Sequence, residues 1–168
     1  GGARRVLAVR VKICGLRSMD AVQAAAGAGA AYAGFVFFPP SPRHLAPDEA
    51  ASLMCAVPAG MAKVALTVDA DDALLDSLVA RLPIDVLQLH GHETPARVSA
   101  LRARHGLPVM KAVGVAGAED LAALDEFARV SDMILVDAKP PRDAVLPGGN
   151  GLAFDWRLIA GRRWPCPW

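Results

Sequence analysis

The chain has 168 residues and a mass of 17.5 kDa, the size of one ordinary domain. Its apolar share is 54% and its charged share is 21%, so the sequence can bury a sizeable core and does not belong to the disordered class. Eighteen basic residues against seventeen acidic ones leave a net charge of +1. There is no basic stripe, which argues against nucleic acid as the partner.

The cysteines and the apolar segments predict a cytoplasmic protein without membrane association. Cys14, Cys55 and Cys166 are odd in number and lack a C-x-x-C spacing, so neither a disulfide framework nor a zinc site is predicted. The uncharged residues 21–42 approach the length of a membrane span. Glycines and a proline pair interrupt this segment, which favours a buried helix followed by a buried strand.

One unit repeats along the chain: a short β-branched run, a turn, and a helical segment rich in alanine and leucine. Strands are predicted over 7–14, 32–38, 62–69, 86–90, 109–113 and 133–137. Helices are predicted over 18–28, 47–56, 72–81, 95–104, 118–128 and 155–159. Ser18, Asp72 and Thr94 are predicted to cap three of these helices. Strand ends recur at the period of a βα unit and no linker divides the chain, so residues 1–168 are predicted to form a single α/β domain.

Alternation within the strands favours a closed barrel over an open, doubly wound sheet. Parallel strands covered by helices on both faces read as continuous apolar runs. Here the first strand alternates, with V-R-V-K-I-C at 9–14, and Gln88 and His90 oppose two leucines in the fourth. One face is predicted to contact helices and the other to line a partly polar interior, as in a (βα)8 TIM barrel.

Two reactive side chains stand at predicted strand ends, where such barrels carry their chemistry. Cys14 follows Lys12 on the same face, and a neighbouring ammonium favours the thiolate, the form in which a cysteine acts as a base. Asp137 ends the sixth strand. Cys14 alone would be read as a small buried hydrophobe and Asp137 alone as a capping carboxylate. Their shared position favours a catalytic pair, while Lys12 and Lys111 are predicted to be lumen charges paired with carboxylates.

Six short motifs follow one another in an order that resembles a known enzyme family. They are V-K-I-C-G-L at 11–16, G-F-V-F-F-P-P-S-P-R at 34–43, L-Q-L-H-G at 87–91, L-V-D-A-K at 135–139, P-G-G-N-G at 147–151 and F-D-W at 154–156. Together they resemble phosphoribosylanthranilate isomerase of tryptophan biosynthesis, over essentially the whole chain. The resemblance implies an Amadori rearrangement of N-(5-phosphoribosyl)anthranilate to 1-(2-carboxyphenylamino)-1-deoxyribulose 5-phosphate, without a metal or an organic cofactor.

The resemblance also implies roles for individual residues. Asp137 would be the general acid that protonates the furanose ring oxygen, and Cys14 the general base that removes the proton from ribose C2. Arg43 would bind the anthranilate carboxylate, for which a planar guanidinium is well suited. Gln88 and His90 are expected to line the substrate pocket, with a structural hydrogen-bonding role as the alternative for each.

The sequence departs from the family pattern in two places. Asn150 stands where the family is expected to have threonine in G-G-T-G, a difference that both polar side chains can tolerate. After the helix predicted over 155–159, residues 162–168 resemble the approach to a seventh strand. We therefore expect about six βα units and a seventh-strand stub, in a barrel incomplete at the C-terminus. Lys139 is expected in a mobile loop after the sixth strand.

Other functions stay open on the sequence alone. Another phosphosugar barrel enzyme has the same repeat, although a histidine-pathway isomerase would use two aspartates rather than Cys14. A non-enzymatic alternative is an inactive barrel fragment that only associates with a complementary chain. The enzyme itself is expected to be a monomer or a homodimer.

Overall fold

A computed structural model describes residues 9–168. The strands are β1 (Lys12–Cys14), β2 (Tyr32–Phe37), β3 (Ala62–Thr67), β4 (Val86–Leu89), β5 (Val109–Val115) and β6 (Met133–Ala138). The helices are α1 (Met19–Gly27), α2 (Pro47–Cys55), α3 (Asp72–Arg81), α4 (Pro95–His105) and α5 (Leu121–Val130). Two single 3₁₀ turns, Ala118–Asp120 and Trp156–Leu158, complete the described elements.

All six strands are parallel and lie in one sheet in the order β1-β2-β3-β4-β5-β6. In a doubly wound sheet the strand order reverses partway, as in the order 3-2-1-4-5-6. Strict sequential order, with a helix after each of the first five strands, belongs to a (βα) barrel. The predicted fold class is therefore confirmed, with six strands forming part of the barrel wall.

Local chemistry explains where the helices begin. Ser18 accepts a hydrogen bond from the backbone N–H of Ala21, and Thr94 caps α4 in the same way, with Pro95 at its first position. The predicted cap of α3 is wrong by one residue: Asp71, not Asp72, accepts from the backbone N–H of Leu74. Asp72 is already the first helical residue.

Two layers of apolar side chains lie on opposite faces of the sheet. The outer layer packs the helices against alternate strand residues, with Phe35 and Leu87 fully buried there. The inner layer has Val64, Val86 and Met110 at its centre. This arrangement confirms the predicted alternation between a helix-facing and an interior face.

Lys111 lies on the helix-facing side, so its prediction as a lumen charge is wrong. It shares that face of β5 with Val109, and its Nζ lies 5.3 Å from the centre of the Phe127 ring in α5. The predicted pairing with a carboxylate is correct, because Nζ lies 2.8 Å from Glu93 Oε2. The ion pair therefore lies on the helix-facing side of the sheet rather than in the barrel interior.

The predicted elements differ from the observed ones mainly at the ends of the chain. β1 begins at Lys12 rather than residue 7, and residues 7 and 8 lie outside the described part. The helix predicted over 155–159 is a single 3₁₀ turn. No strand forms over 162–168, where one backbone bond joins Ile134 N–H to the Pro167 oxygen at 3.0 Å. Prolines in that segment lack the N–H that a strand ladder needs.

Within residues 9–168, β1 and β6 each pair with one neighbour only, so the sheet has two open edges. Val9 is 88% exposed and Val11 48% exposed beside the first of these edges. None of the described helices is both long enough and apolar enough to cross a bilayer.

Candidate active site

The five predicted site residues line one cavity of about 520 Å³ at the carboxyl ends of the strands. They are Cys14, Arg43, Gln88, His90 and Asp137. A second cavity, of about 650 Å³, lies beside the first and shares His90 and Asp137 with it. The structure therefore brings together residues that are up to 123 positions apart in the chain.

Cys14 is the last residue of β1, directly beside Gly34 of β2. A Cβ on Gly34 would lie 3.0 Å from the Cys14 Cα and 3.3 Å from its Sγ, so glycine leaves the space that the thiol occupies. The backbone N–H groups of Gly15 and Leu16 both donate to the Gly34 oxygen, which holds the end of β1 against β2. Cys14 itself is exposed, and its thiol is accessible from the cavity.

Lys12 precedes Cys14 by two residues, so both side chains lie on the interior face of β1. Burial lowers the pKa of the Lys12 ammonium, while the charge interaction with Cys14 partly opposes that change. The predicted carboxylate partner is wrong: Lys12 Nζ donates to Gln88 Oε1, across the interior from β4. A cation is therefore held beside the thiol by an amide rather than by a competing anion.

Asp137 stands in β6 at the opposite end of the sheet, with its side chain 33% exposed. Its Oδ1 accepts from the backbone N–H of Ala138 at 2.9 Å, and its Oδ2 lies 3.3 Å from His90 Nε2. The His90 ring lowers the pKa of the Asp137 carboxyl, and burial opposes this only in part. In the unliganded protein the carboxylate form is thus favoured at neutral pH.

Gln88 and His90 connect the two ends of the sheet. Gln88 is 1% exposed, and its Nε2 lies 3.0 Å from His90 Nδ1. The His90 side chain is 13% exposed and has no closer partner for Nε2 within the described residues than Asp137. At 3.3 Å this is a close polar contact rather than a well-aligned hydrogen bond.

Arg43 reaches the cavity from the turn after β2. Its backbone N–H donates to Ser41 Oγ at 3.1 Å, and Arg17 donates to the Pro42 oxygen at 2.7 Å, so the turn is held from both sides. A Cβ on Gly15 would lie 2.3 Å from the Arg43 Cδ. The aliphatic part of the Arg43 side chain therefore packs against the Gly15 backbone, in the space that a larger residue would fill. Its guanidinium has no acceptor among residues 9–168, which leaves the fork free for an anion.

The segment after β6 covers the contact between His90 and Asp137. A Cβ on Gly148 would lie 2.5 Å from His90 Nε2 and 2.8 Å from Asp137 Oδ2. Asn150 Nδ2 donates to the Leu146 oxygen at 3.1 Å and closes the loop that carries Gly148. This bond gives the asparagine a structural role at the position where the sequence departs from the family pattern.

Sequence reasoning missed the carboxylate that connects the ends of two strands with the interior of a third. Glu93 Oε1 accepts from the backbone N–H of Asp69 after β3, and Oε2 accepts from that of Gly91 after β4. Lys111 of β5 donates to Glu93 and to the Gly91 oxygen. An acid two residues after L-H-G was visible in the sequence, but its partners become neighbours only in the folded sheet.

Asp69 has a left-handed backbone conformation at the cavity rim, with φ of 49°. Its Oδ1 accepts from the backbone N–H of His92, which helps to hold this unusual conformation. Lys139, expected in a mobile loop, donates to Asp120 Oδ1 at 2.6 Å. In the part of the chain that the structure describes, no three His, Cys, Asp or Glu side chains come close enough to hold a metal ion.

Comparisons with known proteins agree along nearly the whole chain. A family model described as N-(5'phosphoribosyl)anthranilate (PRA) isomerase matches residues 11–164. The chain is 63% identical over 162 residues to N-(5'-phosphoribosyl)anthranilate isomerase of Paracoccus denitrificans, covering 96% of this chain and 75% of the relative. It is 62% identical to the protein of that name from Cereibacter sphaeroides, covering 95% of this chain and 76% of the relative.

Solved structures give the same result at lower identity. Phosphoribosyl anthranilate isomerase from Thermotoga maritima superposes with a TM-score of 0.78 at 32% identity, over 90% of this chain and 70% of that one. A phosphoribosyl anthranilate isomerase in complex with reduced 1-(o-carboxyphenylamino)-1-deoxyribulose 5-phosphate superposes with a TM-score of 0.74 at 28% identity. That match covers 90% of this chain and 69% of the other.

Proposed function

The chain belongs to the N-(5'-phosphoribosyl)anthranilate isomerase family, and from this premise we propose that Cys14 and Asp137 carry out its reaction as general base and general acid. The enzyme isomerises N-(5'-phosphoribosyl)anthranilate in tryptophan biosynthesis. The reaction opens the furanose ring of an N-glycoside and moves one hydrogen from C2 to C1. It therefore needs one group that gives a proton and one that takes a proton, on opposite sides of the ribose.

In the first step Asp137 protonates the furanose ring oxygen. The C1–O bond breaks, the nitrogen lone pair forms a C1=N bond, and the ring opens to an iminium with a free hydroxyl at C4. Asp137 ends this step as a carboxylate. His90 Nε2, 3.3 Å from Oδ2, is placed to stabilise the charge that develops there.

In the second step the Cys14 thiolate removes the proton from C2, which the iminium has made acidic. The C2–H electrons form a C1=C2 bond, the nitrogen becomes neutral, and the product is an enolamine. Protonation at C1 and loss of the C2 hydroxyl proton then give the ketone. Lys12 supports this step because its ammonium lies on the same interior face of β1 and favours the anionic form of the thiol.

The two groups must begin in opposite protonation states, the thiolate and the carboxylic acid. His90 holds the pKa of Asp137 below its usual value in the free protein, so the acid form must be favoured by the substrate. The substrate carries a phosphate and a carboxylate, and nearby anions raise the pKa of a carboxyl group. We infer that Asp137 takes up its proton as the substrate binds.

Arg43 supplies the binding site for the anthranilate carboxylate in this proposal. Its guanidinium lines the same cavity as Cys14 and Asp137 and has no acceptor among residues 9–168. A planar guanidinium can donate two parallel hydrogen bonds to a carboxylate. His90 lies beside Asp137 at the cavity wall, where it would contact the ribose.

The observation that carries the proposal is the presence of Cys14 and Asp137 in one cavity, at the carboxyl ends of β1 and β6. The test is to measure the fluorescence loss as the anthranilate derivative rearranges, in the wild type and in the variants Cys14→Ala and Asp137→Asn. Each variant should lower kcat by about 10²–10⁴-fold with a smaller effect on KM. Cys55→Ala, at an exposed cysteine of α2, is the matched control. Wild-type turnover in either site variant contradicts the assignment.

We further propose that residues 1–168 belong to a single barrel domain whose open edges, at β1 and β6, are closed in the active enzyme by further βα units. The family catalyses a step of amino-acid biosynthesis on a small metabolite, and we propose the cytoplasm as its location. The exposed strand edges favour either a monomer with a closed barrel or a homodimer. Mass measurement of the active enzyme in solution separates these forms.

A further inference from the structure

A line of polar side chains crosses the cavity floor from the proposed base to the proposed acid. Lys12, which lies beside Cys14 on the interior face of β1, donates through Nζ to Gln88 Oε1. Gln88 Nε2 lies 3.0 Å from His90 Nδ1, and His90 Nε2 lies 3.3 Å from Asp137 Oδ2. The line joins β1, β4 and β6, and its middle residue, Gln88, is 1% exposed.

The direction of each hydrogen bond follows from what the groups can donate. A lysine ammonium has donors and no acceptor, so it requires the oxygen of the Gln88 amide to face it. The amide nitrogen then faces His90, and this nitrogen can only donate. His90 Nδ1 must therefore accept, and it carries no proton.

This arrangement selects one form of the His90 ring. A neutral imidazole has one proton, and the hydrogen bond at one nitrogen decides that the proton sits on the other. With Nδ1 accepting from Gln88, the proton is on Nε2. Nε2 faces Asp137 Oδ2 and has no other partner in the described part of the chain.

We propose that Gln88, oriented by Lys12, is a positioning residue that fixes His90 in the Nε2–H tautomer and so keeps a hydrogen-bond donor facing Asp137. The opposite tautomer would place a lone pair of His90 against the Asp137 carboxylate, and two acceptors would repel each other. Gln88 thus acts through His90 and does not need to touch the substrate. The lowered pKa of Asp137 agrees with a donor at this position.

The kinetic consequence rests on the proposed function. If Asp137 gives its proton to the ring oxygen, negative charge appears on a carboxylate that faces His90 Nε2–H. The donor stabilises this charge more in the transition state than in the ground state, so it should act on kcat rather than on KM. Losing the tautomer should leave the carboxylate, the thiol and Arg43 in place.

The test measures the tautomer of His90 directly, by the ¹⁵N chemical shifts of its ring nitrogens in the full chain near neutral pH. The wild type should show Nε2 protonated and Nδ1 unprotonated. Gln88→Glu replaces the donor by a carboxylate that only accepts, so Nδ1 should become protonated. Gln23→Glu, the same change at an exposed position of α1, should leave His90 as in the wild type.

Gln88→Met keeps the side chain buried but removes the donor, and it provides a second variant if the carboxylate disturbs folding. In this variant both His90 tautomers should be populated. In Gln88→Glu and Gln88→Met alike, kcat should fall by about tenfold to hundredfold while KM changes less than threefold, roughly the pattern of a misplaced catalytic group. Gln23→Glu should have wild-type kinetics.

Protonation of Nδ1 in the wild type would overturn the proposal, as would an unchanged His90 tautomer in both Gln88 variants. A tenfold to hundredfold rise in KM with constant kcat in the Gln88 variants would also overturn it, since Gln88 would then contact the substrate. The tautomer measurement needs no substrate. A wild-type protein that shows the Nε2–H form but does not isomerise N-(5'-phosphoribosyl)anthranilate would therefore refute the proposed function and support the tautomer assignment.

Discussion

Arg43 is an exposed guanidinium without an acceptor in the described chain, on a turn whose backbone is held at both ends. Arg43→Ala should raise KM far more than it lowers kcat, with a loss of about 1.5–3 kcal/mol in binding free energy for a charged hydrogen bond. Arg43→Lys should recover only part of this loss because an ammonium lacks the planar fork.

The control for Arg43 is Arg129→Ala, at an exposed arginine on α5 that lies away from the cavity. Steady-state kinetics with the substrate and with an analogue that lacks the anthranilate carboxylate give the decisive comparison. If Arg43→Ala loses as much binding free energy with the analogue as with the substrate, the guanidinium does not bind that carboxylate.

Gly148 is a position where an absent side chain lets the backbone approach the site. Gly148→Ala would place a Cβ 2.5 Å from His90 Nε2 and 2.8 Å from Asp137 Oδ2, so the loop or the pair must move. A displacement near 1 Å at a catalytic group costs up to about 10²-fold in rate. We expect a lower kcat with little change in thermal stability, measured by turnover and by Tm.

Gly27→Ala is the matched control for Gly148→Ala, since a Cβ at Gly27 meets no atom within 4 Å. Gly27 ends α1, where alanine is favoured over glycine by up to about 1 kcal/mol. The control should therefore keep full turnover and a Tm at or above that of the wild type. Full turnover in Gly148→Ala as well would show that the loop has room to shift.

At the scale of elements, one buried ion pair joins the ends of β3 and β4 to the middle of β5. Lys111 and Glu93 have side chains 2% and 3% exposed, and Nζ lies 2.8 Å from Oε2. Lys111→Met leaves the Glu93 carboxylate buried without its cation, which costs about 3–5 kcal/mol. Equilibrium urea unfolding should show this loss as a lower midpoint.

Lys63→Met is the matched control for this pair, because Lys63 contacts Asp85 at the same distance of 2.8 Å at a partly exposed site. Ion pairs of that kind contribute about 0–1 kcal/mol. The backbone N–H of Lys63 still donates to Asp85 in the variant. Equal losses in the two lysine variants would mean that burial does not set the strength of the Lys111 pair.

At the scale of the whole molecule, several carboxyl groups make the free energy of unfolding depend on pH in the acidic range. Burial alone would raise the pKa of Asp85 and Asp120, but hydrogen bonds from Lys63 and Lys139 respectively, with backbone N–H groups, outweigh it and lower both pKa values. A carboxyl with a lower pKa in the folded state stabilises that state above its unfolded pKa, near 4. This contribution is lost as the pH falls through the folded value.

The free energy of unfolding should therefore be flat above about pH 5 and fall steadily below about pH 4. Urea titrations across this range give the measurement. Asp85→Asn removes one of the titrating groups while an amide oxygen can still accept from Lys63, so its curve should fall less steeply. A stability that stays constant or rises on acidification would contradict the lowered pKa values.

The sequence alone determined the fold class, the order of the elements and the set of candidate site residues. Each of these depends on local patterns: alternation within strands, capping residues such as Ser18 and Thr94, and ordered motifs that place Cys14 and Asp137 at strand ends. The helix predicted over 155–159 was wrong in type, since only a single 3₁₀ turn forms there, and the approach to a seventh strand forms no ladder because Pro165 and Pro167 lack a backbone N–H.

Only the tertiary structure decided which polar groups meet. Lys12 lies in the interior as predicted but pairs with the Gln88 amide rather than a carboxylate, whereas Lys111 pairs with a carboxylate as predicted but on the helix-facing side. β1 and β4 are not neighbours in the sheet, so Lys12 and Gln88 meet across the barrel interior, and Glu93 reaches Lys111 from the loop between β4 and α4. The tautomer of His90 depends on such a pairing, since a histidine has no preferred ring nitrogen until its neighbours are in place.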